Sequence, residues 1–274
     1  MAMRRVAPHM CSLLVAMVNL LPSGGMAMDS IGSVCGGTAY TGSGKASVNT
    51  VLADLVAKGS STGGGFATSH AGKPGSQDDE VYGLAQCRGD VSGSDCSACL
   101  ADAARQLPNL CGYGSDARIW YDYCFVRYLG TNFIGQADTG SGVVYVNVQA
   151  AADNPRAFAK SVGKALRKAT AQASGSGGLG RAKELHTPFV VVYGLAQCTG
   201  DLAPLACARC LSETLSRFGS YCGGGAQLGC QINYSSCRLR YEIYPFYFPL
   251  DDSDRAGFRG ATDTANYTKI IVHD

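Results

Sequence analysis

Four cysteines recur 111 residues apart and a fifth recurs after 113, and this repeat constrains the fold more than any other feature of the chain. The phrase "VYGLAQCRGD" starts at Val81 and "VYGLAQCTGD" at Val192. Cys87, Cys96, Cys99, Cys111 and Cys124 are answered by Cys198, Cys207, Cys210, Cys222 and Cys237, with a C-x8-C-x2-C core in each unit. The period is too long for a solenoid and suits two small tandem domains of about 100 residues each.

The N-terminus indicates the compartment. Arg4 and Arg5, a mostly apolar run from Met10 to Leu21 and small residues up to Ala27 have the layout of a secretory leader cleaved after Ala27. The run is short of the about 20 residues needed to span a bilayer, and no later stretch reaches that length. The mature protein is expected to be free and extracellular, with no membrane span. Removing Arg4 and Arg5 lowers Lys+Arg from 23 to 21, against 21 Asp+Glu. A neutral chain gives no overall footprint for nucleic acid or an anionic membrane.

Of 13 cysteines, Cys11 falls in the leader and 12 remain. Six fall in each unit, Cys35 joining the first and Cys230 the second, which reads as three disulfides per domain in an oxidising compartment. Domains this small gain from cross-links because their cores are marginal. A Cys-x-x-Cys redox pair or a zinc site reads less well. Every thiol has a potential partner, and the mature chain offers only His70, His186 and His273 as further ligands. No metal or cofactor is expected. Six cysteines allow fifteen pairings. Cys35 has no counterpart in the second unit and Cys230 none in the first, so position suggests Cys35–Cys111 and Cys222–Cys230.

Helical spacing marks Val48, Val51, Leu52 and Leu55, with Ser47 as cap, and Phe158, Val162 and Leu166, with Asp153 or Asn154 as cap and Pro155 in the first turn. Second helices start near Ser94 or Asp95 and near Pro204. The remaining apolar segments read as strands. The Gly-rich stretches 63–65 and 173–181 read as loops, and 251–274 as a loose polar tail. The fold class is α+β: two tandem disulfide-stapled domains, 28–134 and 135–250, each an antiparallel sheet packed with two helices.

"YGLAQC" followed by C-x8-C-x2-C resembles the plant ginkbilobin-like domain, also called the salt-stress-response/antifungal domain. Two copies behind a leader resemble the cysteine-rich repeat secretory proteins. The resemblance implies a five-stranded antiparallel sheet with two helices, and bridges Cys35–Cys111, Cys87–Cys96 and Cys99–Cys124. In the second domain it implies Cys198–Cys207 and Cys210–Cys237, leaving Cys222–Cys230. It also implies a mannose-type sugar site of an Asn after the first cysteine, an Arg before the last and a Glu after it. Amide, guanidinium and carboxylate together match the donors and acceptors of a pyranose. The first domain has Gly36, Arg118 and Leu129 at these positions and keeps only the arginine. The second has Asn147, Gln231 and Glu242.

Strand alternation puts Arg238, Arg240 and Glu242 on one face, either solvated or a polar recognition face. The matching face of the first domain carries Phe125, Arg127 and Leu129, an apolar patch suited to contact with the sister domain or a partner. Asn233 and Asn266 lie in glycosylation sequons. No G-x-S-x-G or phosphate-loop context frames an enzyme, and His70 and His186 read as loop residues. The leading expectation is a secreted lectin-like protein of antifungal defence or stress response that binds a mannose-type or wall glycan. Its rivals are a protein-interaction module for cell-surface receptor kinases and, less favoured, a thiol-redox sensor.

Overall fold

The computed structural model describes residues 29–61, 64–175, 177–249, 259 and 264–273. The expected leader, 1–27, and the stretch 251–258 of the expected tail lie outside the described residues. The first unit runs β1 (Gly32–Ala39), α1 (Gly42–Ser61), β2 (Phe66–Ala71), β3 (Val81–Cys87), α2 (Gly93–Leu110), β4 (Gly114–Trp120) and β5 (Cys124–Leu129). The second repeats it as β6 (Gly142–Asn147), α3 (Pro155–Gly175), β7 (Leu179–Thr187), β8 (Val190–Cys198), α4 (Pro204–Tyr221), β9 (Gly229–Tyr234) and β10 (Cys237–Glu242), then adds β11 (Tyr267–Val272).

The sheets are antiparallel, ordered β1-β4-β5-β3-β2 and β11-β6-β9-β10-β8-β7. The expected α+β class holds, but the second sheet has six strands among the described residues. The extra strand comes from the segment expected to be a loose tail. Tyr267–Val272 pairs antiparallel with Asn147–Gly142 along the whole of β6. "YTKIIV" is rich in strand-forming side chains, but one short polar-flanked run carries little signal by itself.

Each helix pair covers one face of its sheet. In the first unit Val48, Val51, Leu52, Leu55, Leu100 and Leu107 pack on Ala85, Ile119, Val126 and Tyr128. In the second, Phe158, Val162, Leu166 and Leu211 pack on Val192, Ile232, Leu239 and Tyr241. All six bridges have the pairing that position and resemblance gave: Cys35–Cys111, Cys87–Cys96, Cys99–Cys124, Cys198–Cys207, Cys210–Cys237 and Cys222–Cys230.

Helix starts differ in detail. α1 begins at Gly42, and Ser47 is a buried interior residue rather than its cap. Ser92 caps α2, its Oγ accepting from Asp95 N at 3.1 Å. Asn154 caps α3, its Oδ1 accepting from Ala157 N at 3.1 Å. The expected loop at 173–181 shrinks because α3 runs to Gly175 and β7 starts at Leu179. Gly180 is there for close packing: a Cβ on it would lie 1.8 Å from Ala169 O of α3. His70 and His186 sit in β2 and β7 rather than in loops.

The other faces of the two sheets meet. Ile31, Val34, Leu84, Trp120, Phe125 and Phe133 form one buried cluster with Val143 and Tyr145 of β6. The apolar face expected from Phe125 therefore packs on the sister domain, with Leu129 partly buried at its edge. The layers run helices, sheet, sheet, helices.

Candidate functional site

Alternation along β6, β9 and β10 places Asn147, Gln231, Asn233, Arg238, Arg240 and Glu242 on the sheet face opposite the helices. The register confirms the match at Gln231. Arg118 stands opposite Arg127 in the first sheet, and Gln231 stands opposite Arg240 in the second. Asn233 enters the sequence reading only as a sequon, whereas alternation groups Arg238, Arg240 and Glu242, and the resemblance groups Asn147, Gln231 and Glu242. Their surroundings are neither of the two expected, because the face is enclosed by the first domain, the segment after β10 and β11.

Glu242 and Gln231 have 0 % of their surface exposed. Glu242 Oε1 is 3.0 Å from Arg240 Nε, and Tyr267 OH donates to Glu242 Oε2 at 2.5 Å. Arg240 also pairs through Nη1 with Asp122 Oδ1 of the first domain at 3.2 Å, and its guanidinium lies 4.2 Å from the Phe246 ring centre. Burial raises the Glu242 pKa above the usual carboxylate value, while Arg240 and Tyr267 pull it back. Burial also raises the Tyr267 phenol, and Glu242 adds to that rise. Arg238 donates through Nη2 to Asp122 O at 3.1 Å. Burial, helped by nearby Arg88, lowers its pKa to about 10.

The other two proposed sugar contacts are also committed internally. Asn147 is buried, and its Oδ1 accepts from Gln149 N at 2.9 Å, fixing the end of β6. Arg118 is buried between Asp116 at 2.9 Å, Ser235 Oγ at 3.2 Å and Asp138 at 3.4 Å. Asn147, Gln231 and Glu242 share a face, whereas Arg118 belongs to the opposing sheet. A pyranose needs its hydroxyls in reach of these groups, and β11 with the sister domain occupies that space. Asn147 alone also borders a cavity of about 130 Å³, with Gln149, Tyr244, Arg259, Asn266 and Tyr267. Of the sequons, Asn233 is 1 % exposed and donates to Val143 O at 3.3 Å, so its amide is closed to a glycan, whereas Asn266 is exposed.

Further bonds cross the interface. Trp120 Nε1 donates to Tyr234 O at 3.1 Å, Tyr145 OH to Ile31 O at 2.8 Å, and Gln197 Nε2 to Cys87 O at 2.9 Å. Arg88 and Asp90, whose side chains are both fully buried, pair at 2.6 Å. Arg88 Nη2 donates to Phe246 O at 3.1 Å, and Asp90 Oδ2 accepts from Phe248 N at 2.7 Å, clasping the segment after β10. The sequence reading missed Asp122, Arg88 and Asp90. Charged residues beside a cysteine strand look solvated until the opposing sheet is known. No described helix is long and apolar enough to cross a membrane.

A family model described as salt stress response/antifungal matches residues 34–131 and 146–244. β11 lies outside both segments. Cysteine-rich repeat secretory protein 55 of Arabidopsis thaliana is 42 % identical over 247 residues, covering 88 % of this chain and 90 % of that protein. The antimicrobial ginkbilobin-2-like protein of Castanea crenata is 36 % identical over 200 residues, covering 73 % and 80 %. Among solved structures, the tandem DUF26 ectodomain of the Arabidopsis thaliana cysteine-rich receptor-like protein PDLP8 aligns with a TM-score of 0.69 at 27 % identity, covering 78 % of this chain and 97 % of that one.

Proposed function

The chain belongs to the salt stress response/antifungal family, and from that premise we propose that it is a secreted recognition module that binds cell-surface proteins rather than a sugar at the family's ligand positions. The observation that carries this reading is the enclosure of Glu242 and Gln231 at 0 % exposure inside an ion-pair network. Releasing them to a hydroxyl ligand would separate buried charges, which costs several kcal/mol. Receptor-like kinases among the relatives supply the partner class. Cysteine-rich receptor-like protein kinase 25 of Arabidopsis thaliana is 33 % identical over 73 % of this chain, which spans 30 % of that kinase. Two fused domains with no free interior face recognise partners through their outer surfaces. Stress or antifungal action then follows from complex formation outside the cell.

A saccharide reading keeps one supporting observation, the cavity beside Asn147. One experiment separates the two. The mature protein is applied to a glycan array that includes mannans, and to immobilised receptor-kinase ectodomains from the same plant. Ectodomain binding that persists in excess mannose, with no mannan bound on the array, is the expected result. Mannan binding that Asn147→Ala abolishes, with no ectodomain bound, would overturn it.

A further inference from the structure

We infer that the outer face of α3, with the β7–β8 hairpin, is a binding surface for a linear acidic polysaccharide of the polyuronate type. The core side of α3 carries Phe158, Val162, Ala165, Leu166 and Ala169. On the opposite side Arg156, Lys160, Lys164 and Lys168 follow at steps of four residues, with Arg167 beside them, all exposed. Four residues advance a helix by about 6 Å, so these cations form a file about 18 Å long. From residue 153 to 186 the chain has seven Lys and Arg against two acids, Asp153 and Glu184.

Glu184 is shared by Lys164 at 3.0 Å and Lys168 at 2.6 Å. Among the described residues, no carboxylate lies within ion-pair distance of Arg156, Lys160 or Arg167. Like charges three and four residues apart on a helix repel, and an evenly charged polymer laid along the file relieves that repulsion. The neutrality of the whole chain conceals this asymmetry.

The hairpin supplies an apolar end to the file. Phe189 is 96 % exposed and Leu185 66 %. His186 packs edge-on against Phe158 at 5.3 Å and meets Ser161 Oγ at 3.1 Å, which places the hairpin tip beside the N-terminal end of α3. A lipid surface calls for a broad apolar face in one plane. A single file of cations ending in one aromatic ring fits a single polymer strand better, with the ring as a platform for a sugar face. This surface is separate from the Asn147 position and does not depend on the protein-partner reading.

The test uses the full mature chain on immobilised polygalacturonate, with neutral dextran, phosphatidylserine-containing vesicles and duplex DNA alongside. Binding to polygalacturonate is expected to weaken roughly tenfold or more between about 50 and 200 mM salt, with none to dextran and weaker binding to vesicles and DNA. Lys160→Glu with Arg167→Glu should weaken it by a factor of ten or so, and Phe189→Ser by roughly threefold, while Lys45→Glu with Lys58→Glu on α1 leaves it unchanged. Melting curves confirm that each exposed-residue variant is folded. No binding, wild-type binding by either α3 or hairpin variant, an equal loss in the α1 variant, or tighter binding to vesicles or DNA overturns the inference.

Discussion

Gly83 in β3 and Gly194 in β8 occupy the same place in the repeated phrase, and each lets a helix lie against its sheet. A Cβ on Gly83 would sit 2.3 Å from Val51 Cγ1 of α1, and one on Gly194 would sit 3.2 Å from Ala165 C of α3. The phrase is written twice because the helix-facing half of that strand solves the same packing problem in both domains. On the opposite faces the copies diverge. Counting from Cys124 and Cys237, Phe125 corresponds to Arg238, and Leu129 to Glu242. Only the central arginine is shared, and in each copy a carboxylate from outside its own sheet reaches it, although Arg240 also pairs with Glu242 on its own strand. Arg127 pairs with Asp138 in the connecting segment at 3.1 Å and lies over Phe133. Arg240 pairs with Asp122 of the first domain and lies over Phe246. Along this strand the copies differ most where they meet, because there each face must complement the other rather than repeat it.

The bridges that differ between copies give the largest expected effect. Cys35–Cys111 joins residues 76 apart and Cys222–Cys230 residues 8 apart. Loop-closure entropy puts the first at about 4.5 kcal/mol and the second at about 2.6 kcal/mol. Replacing each pair by serines and measuring unfolding in denaturant should show the larger loss in the first domain. Equal losses would mean that native contacts rather than loop length set the contribution.

The shared arginines come next. Arg240→Ala leaves Glu242 buried without its cation, and breaking such a pair costs about 3–5 kcal/mol. Arg127→Ala should cost less, because Asp138 has a side chain 24 % exposed and water can take over, whereas Glu242 is at 0 %. Denaturant midpoints of the two variants check the order. A larger loss at Arg127 would show that stacking on Phe133 outweighs the ion pair.

This contrast also marks how far sequence carried. The cysteine framework, the helix faces and the alternation in "CRLRYEI" were legible because each is a local period. The outcome for Glu242 was not. Its environment is made by Asp122, 120 positions earlier, and by Tyr267, 25 positions later. No pattern in β10 reports either. Gln86 and Gln197 repeat in the phrase for a reason that appears only with both domains in place: Gly200 N donates to Gln86 Oε1 at 2.9 Å, and Gln197 donates to Cys87 O.

Among the described residues β11 has no equivalent in the first domain, and Tyr267→Phe isolates its polar anchor. The variant keeps the ring and removes the donor to Glu242. Losing a hydrogen bond to a charged group costs about 1.5–3 kcal/mol. The matched substitution Tyr128→Phe, on the helix side of the first sheet, should be nearly silent, since its hydroxyl has no hydrogen-bond partner among the described residues. Thermal melts of the pair test this. Equal losses would make β11 an ordinary edge strand held by its backbone bonds alone.

The smallest expected effect is a slope with pH, and it again contrasts Glu242 with Leu129, its uncharged counterpart. Burial raises the Glu242 pKa in the folded state. Between the ordinary carboxylate value and that raised value, the folded protein holds a proton that the unfolded chain has released. Stability contributed by this group therefore falls as pH rises through that window. Carboxylates such as Glu184, lowered by its bonds to Lys168 and Lys164, act in the opposite sense, so the wild-type profile alone does not isolate it. Subtraction does. Glu242→Gln removes the titration and keeps an oxygen acceptor for Tyr267. The wild-type minus variant difference in unfolding free energy should decline from acid pH upward and level off once Glu242 is ionised in both states. A difference that rises with pH would mean that Arg240 stabilises the carboxylate more than burial penalises it, and would make this pair a net support of the interface.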